Sequence, residues 1–175
     1  LANFLNHSGA KIEGAGSSTI TIEGVPKLIG RDYSVIPDRV EVSTLMIAAA
    51  VTKGDVFIKG AIPDHIEPLI RKLKEAGAEV DVKDSGIRVA ASDALESVDI
   101  ETMPFPGFPT DMQAQFMSLL CTAKGTSVVT ETIFENRFMH VNELMRMGAN
   151  IRVDQRQAII EGVEHLYGAE VKITD

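Results

Sequence analysis

The chain has 175 residues, 45% of them hydrophobic and 24% charged, with a net charge of -8, a balance ordinary for a globular protein with one sizeable core. The acidic charge argues against nonspecific nucleic-acid binding and an anionic membrane surface, and no apolar run approaches the ~20 residues that span a bilayer. The single cysteine, Cys121, allows no intrachain disulfide and fits a reducing, cytoplasmic compartment.

In chain order, Leu1 to Leu5 has no initiator Met and no basic stretch ahead of its apolar residues, so it reads as the inside of a helix rather than a signal peptide. That helix stops at Gly9-Ala10, and a strand, a polar turn and a second strand follow to Gly24. Val25 to Pro37, with Pro26, Gly30 and Pro37, reads as a boundary or crossover. Asp38 to Lys53 is expected to be helical, with Asp38 as N-cap and Glu41 three residues on. Gly54 stops it and Val56 to Ile58 is a strand. Asp64 and Glu67 open the next helix, whose apolar stripe is Ile66, Leu69, Ile70 and Leu73 and whose Pro68 falls in the tolerant first turn. It ends at Gly77-Ala78 and gives way to another hairpin. After the Pro-rich segment Pro104 to Pro109, a helix runs from Asp111 to Lys124, then a strand from Thr126 to Glu131. A further helix begins near Asn136 and ends at Gly148-Ala149, followed by a third hairpin to Gly162. Val171 to Asp175 reads as a strand, and both ends are expected to be cuts in a longer chain.

The three Gly-Ala pairs mark an internal repeat of about seventy residues with the order β-α-β-α-β-β. Leu45 to Val51 carries no polar residue on any face, and Phe116 to Cys121 nearly none. Such helices belong inside a core, with amphipathic sheets outside them.

Two segments could carry chemistry. In Pro104 to Gln115, prolines stiffen the approach to Asp111. Asp111 is either a plain helix cap or a positioned carboxylate acting as general base. In Thr130 to His140, Glu131, Glu135, Asn136 and Arg137 are either a solvated loop with a surface ion pair or a site where Arg137 binds a carboxylate or phosphate. His140 reads as either a ligand or base or a structural residue of its helix, while His7, His65 and His165 are scattered with no Cys or carboxylate at metal-ligand spacing, so no metal and no cofactor is expected. Cys121 reads as a buried, inert thiol. No phosphate-binding P-loop, G-x-G-x-x-G, G-x-S-x-G or H-E-x-x-H motif is present.

Phe108-Pro109-Thr110-Asp111-Met112-Gln113-Ala114-Gln115 and Thr130-Glu131-Thr132-Ile133-Phe134-Glu135-Asn136-Arg137-Phe138-Met139-His140 closely resemble the signatures of the UDP-N-acetylglucosamine 1-carboxyvinyltransferase family. Pro37-Asp38-Arg39 and Gly168 to Asp175 match as well, so that the resemblance covers essentially the whole chain. It implies an α/β fold of the enolpyruvyl transferase type: an inside-out α/β barrel of β-α-β-α-β-β units with buried helices and outer sheets, present here in part. Residues 1–36 would be the tail of the UDP-sugar-side domain, and 37–175 two repeat units of the second domain. The implied substrates are UDP-N-acetylglucosamine and phosphoenolpyruvate, with no nucleic acid and no membrane. By motif match, Asp111 would take the proton of the sugar 3′-hydroxyl, Arg137 would lie near the phosphoenolpyruvate side, and Ile133 and Phe134 would line the sugar pocket, partly through backbone. Asp175 would be a cleft carboxylate. The family's catalytic cysteine loop, N-terminal lysine and several phosphate-binding arginines have no counterpart in the chain, which by itself is expected to be inactive. The competing expectations are the sibling transferase acting on shikimate phosphate and a noncatalytic repeat module.

Overall fold

The computed structural model describes residues 1–93 and 95–173. The chain divides into two compact units, Leu1–Ile36 and Pro37–Asp175. In the first, α1 (Ala2–His7) leads into the antiparallel hairpin of β1 (Lys11–Glu13) and β2 (Thr21–Glu23), with Ile12 opposite Ile22. Tyr33 closes over the helix, edge-on to Phe4 at 5.2 Å.

The second unit holds two copies of one motif. In the first copy α2 (Arg39–Val51) is followed by β3 (Asp55–Lys59), α3 (Glu67–Glu75), β4 (Glu79–Lys83) and β5 (Gly86–Ala90). In the second, β6 (Ile100–Glu101) precedes α4 (Gln113–Leu120), β7 (Thr126–Thr130), α5 (Val141–Arg146), β8 (Asn150–Asp154) and β9 (Gln157–Glu161). The sheets are ordered β3-β5-β4 and β6-β7-β9-β8, antiparallel except for the β6–β7 pair. The leading strand of the motif is thus seen only in the second copy. In the first, β3 stands at the edge of its sheet.

The Gly-Ala pairs behave as their chemistry requires. Gly9, Gly77 and Gly148 have φ of +100°, +97° and +96°, a region in which a Cβ is costly. The following alanines donate back to the carbonyls of Leu5, Leu73 and Leu144, closing each helix with the same six-residue bond. Asp38 caps α2, accepting from the Val40 N–H at 2.7 Å.

Both helices read as apolar on every side lie in the core between the sheets, packed on each other. In α4 Phe116, Met117, Leu119 and Leu120 are sealed from solvent, and in α2 Met46 is sealed as well. Leu45 of α2, however, is 48% exposed, because among the described residues no element covers that flank. Three further differences are local. The predicted helix from Asn136 begins only at Val141, and 131–138 form a loop whose first residues are tied by hydrogen bonds to Glu131 and Thr102. Residues 110–112 form a 3₁₀ turn ahead of α4 rather than its first turn. Val171 to Ile173 has no strand partner among the described residues.

Candidate functional site

Asp111 does not cap a helix. It is the middle residue of the 3₁₀ turn Thr110–Met112, and its side chain makes no capping bond. The carboxylate turns instead to two guanidinium groups: Arg39 Nη2 lies 3.2 Å from Oδ2 and Arg137 Nη2 lies 3.9 Å from Oδ1. Arg39 is the first residue of α2, so the Asp38 cap that fixes that helix start also fixes the arginine. The side chain of Asp111 remains 43% exposed, and each contact is worth at most about 1 kcal/mol at such a surface. These pairs organise charge around the carboxylate more than they stabilise the fold.

Asp111, Thr110, Arg39 and Ile133 line a cavity of about 510 Å³, walled on its apolar side by Pro104 and Phe105. Volume and lining suit a small polar molecule with an anionic group, held by arginine beside a carboxylate that can accept a proton. A neighbouring hollow of about 570 Å³, lined by Arg71, Glu75 and Phe108 among others, is slightly larger. It lacks this pairing of a carboxylate between two arginines, so the chemistry points to the first.

Arg137 stacks on Phe134, its guanidinium carbon 5.1 Å from the ring centroid, an arrangement that orients the planar fork. Ile133 and Phe134 both give their N–H groups to Glu131, at 2.8 and 3.0 Å. What these two residues can offer a ligand from the backbone is therefore their carbonyl oxygens. The last residue expected in the site, Asp175, lies outside the described residues.

Glu131 is not part of a solvated loop: it is 1% exposed. Burial raises its carboxyl, but the hydrogen bonds from Phe134 N–H, Thr110, Ile133 N–H and Thr102 outweigh burial and hold it below the usual carboxylate range. Strand parity foretells this placement. Ser127 and Val129 point inward along β7, and the same alternation carried one step past the strand brings Glu131 inward too.

Arg39 is the residue that reading along the sequence assigned no role beyond its helix start. The available signal was the repeat itself, since α2 and α4 are equivalent helices whose beginnings meet, α2 packing on the Thr110–Met112 turn. Of the other candidates, His65 also lines the cavity. Cys121 is buried and its thiol is pushed up to about 12 by burial, which leaves it unreactive. Among the described residues no group of His, Cys, Asp and Glu could hold a metal ion, and no helix is long and apolar enough to cross a membrane.

A repeated α/β domain that presents a carboxylate beside arginines at an open cavity belongs to the class that can bind an anionic group next to a proton acceptor. Comparison with known proteins narrows the class. The family model described as EPSP synthase (3-phosphoshikimate 1-carboxyvinyltransferase) matches residues 1–175, and the chain belongs to that family. Over all 175 residues it is 57% identical to UDP-N-acetylglucosamine 1-carboxyvinyltransferase 1 of Staphylococcus epidermidis and 58% identical to that of Halalkalibacterium halodurans. It spans 42% and 40% of the length of these curated relatives. Among solved structures, the enolpyruvyl transferase NikO from Streptomyces tendae superposes with a TM-score of 0.77 at 28% identity, over 90% of this chain and 38% of that one. EPSP synthase from Acinetobacter baumannii, at 21% identity, shares the fold with a TM-score of 0.71 over 92% of this chain and 39% of that one. The enolpyruvyl transferase fold expected from the sequence is the one observed.

Proposed function

We propose that this chain is part of a transferase that moves the enolpyruvyl group of phosphoenolpyruvate to the 3′-hydroxyl of UDP-N-acetylglucosamine, the first committed step of peptidoglycan synthesis, in the cytoplasm. Residues 1–36 are then the tail of the sugar-side domain and 37–175 two repeat units of the other. The observation that carries the reading is Asp111, held between Arg39 and Arg137 at the edge of the cavity. The identity to relatives of that name supports the choice of nucleotide sugar over shikimate phosphate.

In this mechanism Asp111 accepts the 3′-hydroxyl proton as the sugar oxygen bonds to C2 of phosphoenolpyruvate, while C3 gains a proton. The proton at C3 comes from an acid supplied by the rest of the enzyme; the tetrahedral adduct then loses phosphate from C2 and one proton from C3, which restores the C2–C3 double bond and forms the enol ether of the sugar. Arg137, oriented by Phe134, faces the anionic reactant, and Ile133 with the carbonyl oxygen of its own residue borders the sugar. Residues supplied by the rest of the enzyme complete the phosphoenolpyruvate site, so this 175-residue chain alone does not turn over.

The test is phosphate release by the full-length protein supplied with phosphoenolpyruvate and one acceptor at a time. Turnover with UDP-N-acetylglucosamine and none with shikimate 3-phosphate is the expected result. The reverse preference assigns the chain to the sibling activity, and inertness toward both leaves only a repeat module.

A further inference from the structure

The buried carboxylate of Glu131 has no direct part in the mechanism above, yet it is the best-connected side chain near the cavity. Oε1 accepts from Thr102 Oγ1 at 2.9 Å and from the N–H groups of Ile133 and Phe134, while Oε2 accepts from Thr110 Oγ1 at 2.8 Å and Gln113 Nε2 at 3.0 Å. All five approaching groups can donate at once, an environment suited to an ionised carboxylate, which accepts at both oxygens. The donors come from four places in the chain: the end of the β6 segment, the turn that carries Asp111, the start of α4, and the loop that carries Ile133 and Phe134. The knot is braced from outside. Thr132 N–H donates to Thr102 Oγ1 at 2.9 Å, the Thr132 hydroxyl donates to the Thr102 carbonyl, and Glu131 N–H donates to the Arg156 carbonyl at 2.8 Å.

We propose that Glu131 is a positioning residue for this site: one ionised carboxylate that fixes the turn bearing Asp111 and the loop bearing Ile133 and Phe134 in a single geometry. Thr110 adjoins Asp111, so the bond from its hydroxyl sets where that carboxylate points. The two backbone N–H bonds set where the Ile133 and Phe134 carbonyls face, and with Phe134 the stacked guanidinium of Arg137. Charge-assisted bonds of this kind are about twice as strong as neutral ones, and the carboxylate that accepts all five is itself buried. The base and the wall of the sugar pocket are thereby coupled through a group that touches neither substrate.

The proposal rests on the proposed function only for which reaction is read. In the full-length protein Glu131→Gln keeps the volume but removes the charge and replaces one accepting oxygen with an N–H2 group. Its kcat for UDP-N-acetylglucosamine, per folded molecule, is expected to fall about tenfold or more, because small misplacements of reacting groups are costly, with a smaller rise in the KM for that substrate. Amide hydrogen exchange at Ile133 and Phe134 is expected to accelerate about tenfold as a neutral oxygen replaces the carboxylate. A purely structural role would lower only the yield of folded protein. Folded Glu131→Gln enzyme with wild-type kcat, KM and exchange overturns the proposal. Should that variant fail to fold, Thr102→Val removes one donor to Oε1 away from the cavity, and wild-type kinetics and exchange there would overturn it equally. If the wild-type enzyme does not use these substrates at all, the proposed function falls, and the exchange measurement alone decides the role of Glu131.

Discussion

Asp111→Asn in the full-length protein is expected to lose about 10²- to 10⁴-fold in kcat, the usual contribution of a positioned general base. The melting temperature should stay nearly unchanged. The reason for both expectations is the same geometry. The side chain caps no helix and is 43% exposed, so the fold does not depend on it, and its two ion-pair contacts are worth at most about 1 kcal/mol each at the surface. The amide is isosteric and can still hydrogen-bond to Arg39 and the sugar, so UDP-N-acetylglucosamine should bind within a few-fold of wild type. Steady-state kinetics, with calorimetric titration of the nucleotide sugar, separate these quantities. A variant with unchanged kcat would return Asp111 to a structural role.

Phe116→Ala is expected to have the largest effect on stability, about 3–5 kcal/mol, against a total of about 5–15 for a domain. Phe116 is sealed in the core and meets Phe108 edge-on, with ring centroids 5.4 Å apart and planes at 77°. Removing the ring deletes that contact as well as the buried area. It also leaves Phe108, 5% exposed and two residues ahead of Thr110, without its aromatic partner. The substitution should therefore lower the urea midpoint of the full-length protein and, at temperatures where the fold survives, reduce turnover through a loosened Asp111 turn. A shift under about 1 kcal/mol would mean that the core closes around the lost ring.

The parts of the fold legible from sequence are those governed by a few neighbouring residues. Gly9, Gly77 and Gly148 end helices because their backbones need positive φ, and Asp38 starts one because its carboxylate reaches the Val40 N–H. The parts that were not legible depend on partners far along the chain. Local preference makes Asp111 a cap, but the groups it meets instead include Arg39, 72 residues away. The helix expected from Asn136 begins only at Val141, and the stretch ahead of it opens with Ile133 and Phe134, whose N–H groups are bound to the carboxylate of Glu131. Leu45 to Val51 reads as buried on every face, yet burial requires a neighbour on each side, and Leu45 finds none among the described residues. The resemblance to enolpyruvyl transferases implies what periodicity could not, namely that Asp111 and Arg137 lie together. The structure places their charged groups 3.9 Å apart. It added the pairing of Arg39 with Asp111 and the buried state of Glu131, which the matched segments by themselves do not show.

The most direct measurement is the crystal structure of the full-length protein with UDP-N-acetylglucosamine bound. A carboxylate oxygen of Asp111 should lie about 2.6–3.2 Å from the sugar 3′-oxygen, directly or through one water, with Ile133 against the sugar. A bound nucleotide sugar whose 3′-hydroxyl faces away from Asp111, with that carboxylate still engaged only by Arg39 and Arg137, would contradict the account.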